Sequence, residues 1–267
     1  MRRESSTAPS ILTWLQSGIE TPEILWCASQ RRQHLLPTGT IRVCDLVVSP
    51  TRPTSVRDLG VYIDADLSMR THVATTVGAC FAALREIRSV RRSLSRHALL
   101  SLVRALVVSK VDYCNSVLAG ISRNLIRRLQ SVMNAAARLV FSAKRSDRIT
   151  PLLHELHWLK VPERIQFRLG VLVYRCLHNT APVYLAESLQ LARDVHARRH
   201  LRSAESMKLI LPETRCSTCS TLGDRAFPVS AARTWNVLPS SVRAAPSLAT
   251  FRQQLKQTLF LQSFPDQ

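Results

Sequence analysis

The chain has 267 residues, 46% of them hydrophobic, which is enough for one large or two small domains and excludes a disordered tail. Its formal net charge is +19 with a pI near 11.0, carried by 32 Arg against only five Lys. That balance points to a polyanionic partner, because the guanidinium fork matches phosphate oxygens and the release of counterions drives association.

The sequence has no run of about 18 apolar residues, and its Arg-containing N-terminus lacks the apolar stretch of a signal peptide. The expectation is a soluble intracellular protein, nuclear or cytoplasmic, with no membrane partner. Seven scattered Cys, an odd number, suit reduced thiols better than a disulfide framework. Cys80, Cys114 and Cys176 lie within apolar patterns and are expected in the core.

The first forty residues read as irregular, broken by Pro9, Pro22, Pro37 and Gly39, with short segments at Ile11 to Leu15 and Glu23 to Trp26. Two strand-like runs follow, Ile41 to Val48 and Val56 to Ile63, rich in β-branched residues and separated by a turn at Pro50 to Pro53. Their simplest pairing is one small hairpin.

From Thr71 the period becomes helical. Val73, Val77, Cys80, Phe81, Leu84 and Ile87 form one apolar face, while Arg85, Arg88 and Arg92 recur at spacings of three and four on another. A second helix, with Ser95 as N-cap, carries Leu99, Leu100, Leu102, Val103, Leu106 and Val107, is apolar nearly all round, and is expected to be the buried one. After Gly120, Ser122 caps a third, whose seam is Leu125, Leu129, Val132, Ala136 and Leu139, with Arg127, Ser131, Asn134 and Arg138 as a polar row beside it. The small side chains of Ala135, Ala136 and Ala137 allow close helix packing.

A basic connector from Lys144 to Thr150 leads to a short helix around Leu152 to Leu156, then to Pro162, suited to the first turn of a helix reaching about Leu177. Ile165, Leu169, Leu172 and Cys176 form its apolar face. Arg193, Arg198, Arg199 and Arg202 mark a solvated linker, and the tail holds a segment from Ala226 to Trp235, a turn at Pro239 and a last helix opened by Ser247 with Leu248, Phe251, Leu255 and Leu259 inward. There is no internal repeat.

Four phrases in fixed order, VRDLGVYIDADLSM from Val56, VDYCNSVLAG from Val111, LQSVMNAAARLV from Leu129 and LHELHWLKVPERI from Leu153, resemble a non-LTR, LINE-type retrotransposon reverse transcriptase of the jockey-like group, in the part downstream of its catalytic carboxylates. The similarity extends from about Ile19 almost to the C-terminus and includes LHNTAPVYLA from Leu177, GDRAFPVSAARTWNVLP from Gly223 and APSLATFRQQLK from Ala245. It implies that Leu59, Gly60 and Val61 belong to a primer-grip hairpin and that the following helices are a thumb tracking the template–primer duplex. The expected fold is therefore mainly α (α+β): a residual palm edge with a small N-terminal β-hairpin over 1–67, a thumb-like helical bundle over 68–143 and a helical C-terminal region over 144–267.

Two departures bear on activity. Two-metal nucleotidyl transfer needs clustered carboxylates to hold Mg²⁺, and the Tyr/Phe-x-Asp-Asp motif that supplies two of them occurs nowhere in the sequence. At Gly18 to Glu23, Thr21 and Pro22 replace the Lys and Thr of the family's Asn-x-x-Lys-Thr-Glu phrase. The expectation is a chain derived from an RNA-directed DNA polymerase but inactive alone, needing no cofactor, with Mg²⁺ implied only by a complete palm. It would bind RNA, DNA or an RNA–DNA hybrid through Arg85, Arg88, Arg92, Arg127 and Arg138. The alternative is a helical interaction module that self-associates through faces made to dock on a palm, or an inert relic of a mobile element.

Other candidates have plainer readings. Asp64 and Asp66 resemble a carboxylate pair but read as a strand-end turn. Cys216-x-x-Cys219 with His196-x₃-His200 upstream has zinc-ligand spacing, against two free thiols in a connector. His154 and His157 beside Trp158 read as helix-edge packing, since spacing supplies no catalytic partner.

Overall fold

A computed structural model describes residues 10–14, 23–27, 39, 41–43, 46–48, 54–192, 207–212 and 223–265. The chain is mainly helical, with small antiparallel hairpins at its N-terminal end, and divides into two compact units, Met1–Thr75 and Thr76–Gln267.

In the first unit, β1 (Ser10–Trp14) pairs with β2 (Glu23–Cys27), β3 (Ile41–Val43) with β4 (Leu46–Val48), and β5 (Ser55–Asp58) with β6 (Val61–Asp64), all antiparallel. Each expected strand run thus folds back on itself instead of pairing with the other. The break in the second run is Leu59-Gly60, a two-residue loop in which both residues have positive φ, 43° and 82°. This is the backbone that matches the twist of a tight hairpin and that Gly supplies at no steric cost. Cys27 and Val56 form a small core under Ile63, Ala65 and Leu67.

Helix α1 (Arg70–Val90) begins where Asp64 fixes the chain. The Asp64 carboxylate accepts hydrogen bonds from the amides of Arg70 (2.6 Å) and Thr71 (3.3 Å) and from the Ser68 hydroxyl (2.9 Å), so it satisfies amides that a helix start leaves open. His72, buried beside it, accepts a long hydrogen bond of 3.5 Å from the Tyr62 amide.

The second unit holds the rest of α1, then α2 (Arg96–Val103), a π-helical turn (Arg104–Val108), α3 (Ser109–Asp112), α4 (Arg123–Phe141), α5 (Ile149–Glu155), α6 (Val161–Leu177), α7 (Val183–Ala186), α8 (Phe227–Val237), α9 (Ser240–Arg243) and α10 (Leu248–Ser263). Several boundaries follow from local chemistry. Ser95 and Ser247 cap α2 and α10, each side chain accepting from the amide three residues on, at 3.2 Å. Pro162 sits in the first turn of α6, where its missing N–H costs nothing. Ser122 precedes α4 as expected but makes no side-chain capping bond, and its carbonyl instead accepts from Leu125 and Ile126.

Two burial expectations are corrected. The apolar segment after Ser95 is only half buried: Leu99, Val103, Val107, Val108 and Val111 face inward, while Leu106 is 42% exposed. The Ser109 amide bonds to the Arg104 carbonyl, five residues back, and this wider turn shifts which positions face the core. Cys114 is exposed in the left-handed region (φ 48°), because α3 ends there and the chain turns into a short 3₁₀ segment. Cys80 and Cys176 are buried as expected.

The enclosed helix is α6, on which Val161, Ile165, Leu169, Gly170, Val171, Val173, Tyr174 and Cys176 are all buried. It packs against α4 on one side and α8 and α10 on another. A Cβ at Gly170 would meet the Leu255 side chain at 3.1 Å, so the absent side chain sets how closely α10 approaches. Around that contact Phe251, Leu255 and Leu259 of α10 join Trp235 and Tyr174 in one apolar cluster. Phe251 stacks on Tyr174 (centroids 4.4 Å apart) and Trp235 (5.7 Å), the Tyr174 hydroxyl donates to the Ala245 carbonyl at 3.0 Å, and the Trp235 indole donates to the Met207 carbonyl at 2.6 Å. The polar ends of both aromatics are thereby satisfied inside the cluster.

Truncating Phe251→Ala should cost about 3–5 kcal/mol by leaving a cavity among well-packed aromatics; urea unfolding should show a lower midpoint with the slope unchanged. A second expectation concerns pH. Burial lowers the pKa of His72 below the ordinary imidazole value, with the Asp64 charge opposing, so the unfolded chain takes up that proton more readily. The contribution is fully present above about pH 6.5 and is lost as pH falls toward the folded value. Thermal melts of His72→Gln between about pH 5 and 7 should be flatter with pH than those of the parent chain.

Candidate nucleic-acid interface

The positive charge exceeds what the acidic residues can neutralise, so the question is where unpaired arginines meet a surface that can seat a ligand. In the second unit, α1 and α4 enclose a groove of about 360 Å³. Its walls are Phe81, Leu84, Ala135 and Leu139, and Arg85 and Arg88 complete the lining. Both arginines are exposed and make no hydrogen bond or ion pair with the described residues. Phe81 lies beside them at 39% exposure rather than on the core face where its spacing from Val77 and Leu84 placed it. An arginine pair at an apolar groove with an accessible aromatic ring can contact phosphate while a base or sugar lies on the ring.

The other arginines of the expected set are distributed differently. Arg92 is exposed, but α1 ends at Val90, and Arg92 rides on a following 3₁₀ turn (Arg91–Ser93). Arg127 is exposed on α4 and unpaired among the described residues, on the row with Ser131 and Asn134 and not in the groove wall. Arg138 is half-buried, with Nη2 3.4 Å from the Asp147 carbonyl, so it serves the turn after α4.

A second recess, of about 310 Å³, lies where Arg91 and Arg96 meet Leu99, Val140 and Phe141. Its Arg96 is engaged: the guanidinium lies 4.6 Å from the centre of the Phe141 ring and bonds Glu155 at 2.5 Å. It holds α2 to α4 and α5. Sequence spacing gave no sign of this pairing, because Arg96 and Glu155 are 59 residues apart.

Leu59, Gly60 and Val61 sit at the tip of the β5–β6 hairpin, Leu59 83% exposed and Val61 buried. The first unit therefore presents an apolar tip on a short hairpin. Asp64 is committed to the start of α1, and Asp66 accepts from the Ser68 amide at 2.9 Å and pairs with Arg70 at 3.8 Å. Partial burial works against the Asp66 carboxylate, but Ser68 and Arg70 outweigh it and hold its pKa below the usual range. Both acids thus have structural work, in agreement with a strand-end turn. His154 and His157 lie against Phe260, centroids 5.0 and 5.6 Å away, which is edge packing. His196, His200, Cys216 and Cys219 lie outside the described residues; among those described, no cluster of three or more His, Cys, Asp or Glu could hold a metal ion.

No helix of the described residues is long and apolar enough to cross a membrane. Compared with protein-family models, curated proteins and solved structures, the chain gives no match.

The buried thiols offer no nucleophile. Burial pushes the Cys80 pKa up to about 11 despite nearby Lys110, and Cys27 and Cys176 are also raised by burial. Brief iodoacetamide treatment of the folded chain at pH 8 should therefore alkylate Cys114 and spare Cys80, with peptide mass spectrometry reading each site. Labelling of Cys80 at the rate of Cys114 would mean that the α1–α2 core opens readily.

Proposed function

We propose that this chain is the nucleic-acid-holding part of a LINE-type RNA-directed DNA polymerase, binding a template–primer duplex or similar polymer without extending it. The reading is supported first by the ordered phrases of the sequence and their resemblance to that family. The structural observation that carries it is the groove between α1 and α4, where Arg85 and Arg88 stand exposed and unpaired beside Phe81. Affinity in such a site comes mainly from phosphate contact and is independent of sequence. The missing Tyr/Phe-x-Asp-Asp motif argues against nucleotide addition by this chain alone, since that motif supplies two of the carboxylates that hold the metal ions of that reaction.

The test is binding to an RNA–DNA primer–template hybrid over a salt series, for the parent chain and for Arg85→Ala/Arg88→Ala. The parent should bind with affinity that falls steeply with salt and varies little with sequence. The double variant should bind roughly tenfold or more weakly, with a salt slope smaller by about two. Primer extension with Mg²⁺ and nucleotides should be absent from both. A folded parent chain that binds no hybrid at low salt would overturn the reading.

A further inference from the structure

A larger cleft of about 660 Å³ lies elsewhere in the second unit, between the π turn, α3, the α5–α6 connection, α6 and α10. Its charge is lopsided. Arg104 comes from the π turn, Arg168 from α6, and Arg252 and Lys256 from α10 one helical turn apart. All four are exposed, and none of their side chains forms a hydrogen bond or ion pair with the described residues. The carboxylate in the lining, Asp112, is already taken: both of its oxygens accept from Arg164 Nη1, at 2.9 and 2.7 Å. Four cations therefore converge on one concavity, with no free acid between them among the described residues.

Such convergence repels itself unless an anion occupies the space, and the apolar wall at Trp158, which is buried, focuses the field into the cleft. The π turn adds an independent pointer. A widened turn interrupts an otherwise regular helix at the residue, Arg104, that enters the cleft, and such turns recur at functional sites. The space exceeds what one phosphate fills, and the cations come from three elements and not from a single point.

We propose that this cleft binds consecutive phosphates, as carried by a polynucleotide backbone or by inorganic polyphosphate. It is a site separate from the groove of Arg85 and Arg88. Arg168, Arg252 and Lys256 clamp the ligand across α6 and α10, Arg104 closes the third side, and the Arg164–Asp112 pair fixes the floor without contributing net charge.

The experiment uses the full chain, titrated calorimetrically with inorganic tripolyphosphate and, by fluorescence anisotropy, with the RNA–DNA hybrid. Three proteins are compared with the parent: Arg168→Gln/Arg252→Gln/Lys256→Gln, the single Arg252→Gln, and a control with the same charge removed from the exposed connector, Lys144→Gln/Arg145→Gln/Arg148→Gln. Circular dichroism and melting temperature report folding, and the single variant replaces the triple one if the latter does not fold. The cleft variants should lose affinity, about tenfold or more for the triple one, with the hybrid salt slope falling by about one per phosphate contact removed, while the control changes little. Weakening with tripolyphosphate alone identifies a small polyphosphate as the ligand, and weakening with the hybrid alone identifies the polynucleotide. Folded cleft variants that bind both probes like the parent, or a control that weakens as much as they do, would overturn the inference. Because Arg85 and Arg88 are untouched, that failure would leave the function proposed above to its own test.

Discussion

The second unit depends on the enclosure of α6. A helix buried on several faces must find a partner for each, and α6 finds them in helices from before and after it in the chain: α4 on one side, α8 and α10 on another. Gly170 permits the approach of α10, and Tyr174, Phe251 and Trp235 stack within the same apolar cluster. The contact also reaches the segment around Leu209, which is pinned by the Asn236 side chain through paired hydrogen bonds of 2.9 and 2.8 Å to its amide and carbonyl. Burial on this scale outweighs any single surface interaction, since apolar area contributes about 25 cal/mol per Å² while an exposed ion pair contributes under about 1 kcal/mol.

Charge is then distributed around that frame under a simple constraint. With 37 basic and 18 acidic side chains, most cations have no acid to pair with. Among the described residues two ion pairs brace junctions between helices: Arg164–Asp112 ties α6 to α3, and Arg96–Glu155 ties α2 to α5. Of the rest, Arg85 and Arg88 line the α1–α4 groove and Arg104, Arg168, Arg252 and Lys256 line the cleft beside α10, each with apolar residues in its wall. Exposed arginines and lysines of this kind can neutralise the phosphates of a polyanion and free the counterions condensed on it, which favours association.

The elements that were legible in the sequence are those specified by near neighbours. Ser95, Ser247 and Pro162 mark helix starts because a hydroxyl reaches an amide three residues away and a fixed φ suits the first turn. The inward stripe Phe251, Leu255 and Leu259 follows from a 3.6-residue period. Where the pattern is ambiguous, it does not specify the structure. The run Ile41 to Val48 carries strand propensity throughout, yet it folds back between Val43 and Leu46, and propensity alone does not say where a strand turns. Similarly, the segment after Ser95 is apolar on most sides, and only its packing partners and the π turn decided which side was left in water.

By itself, then, the sequence determined the mainly helical class, the basic character and several helix starts, all consequences of composition or of contacts a few residues apart. Only the tertiary structure decided which arginines are free and which are braced. Arg85 and Arg88 lie beside Ala135 and Leu139 of another helix, Arg96 is consumed by Glu155, and Arg104, Arg168, Arg252 and Lys256 meet in one cleft from three separate elements. The physical reason is that a charge's role depends on what lies within a few ångströms of it, and those neighbours are set by how helices distant in sequence pack around α6.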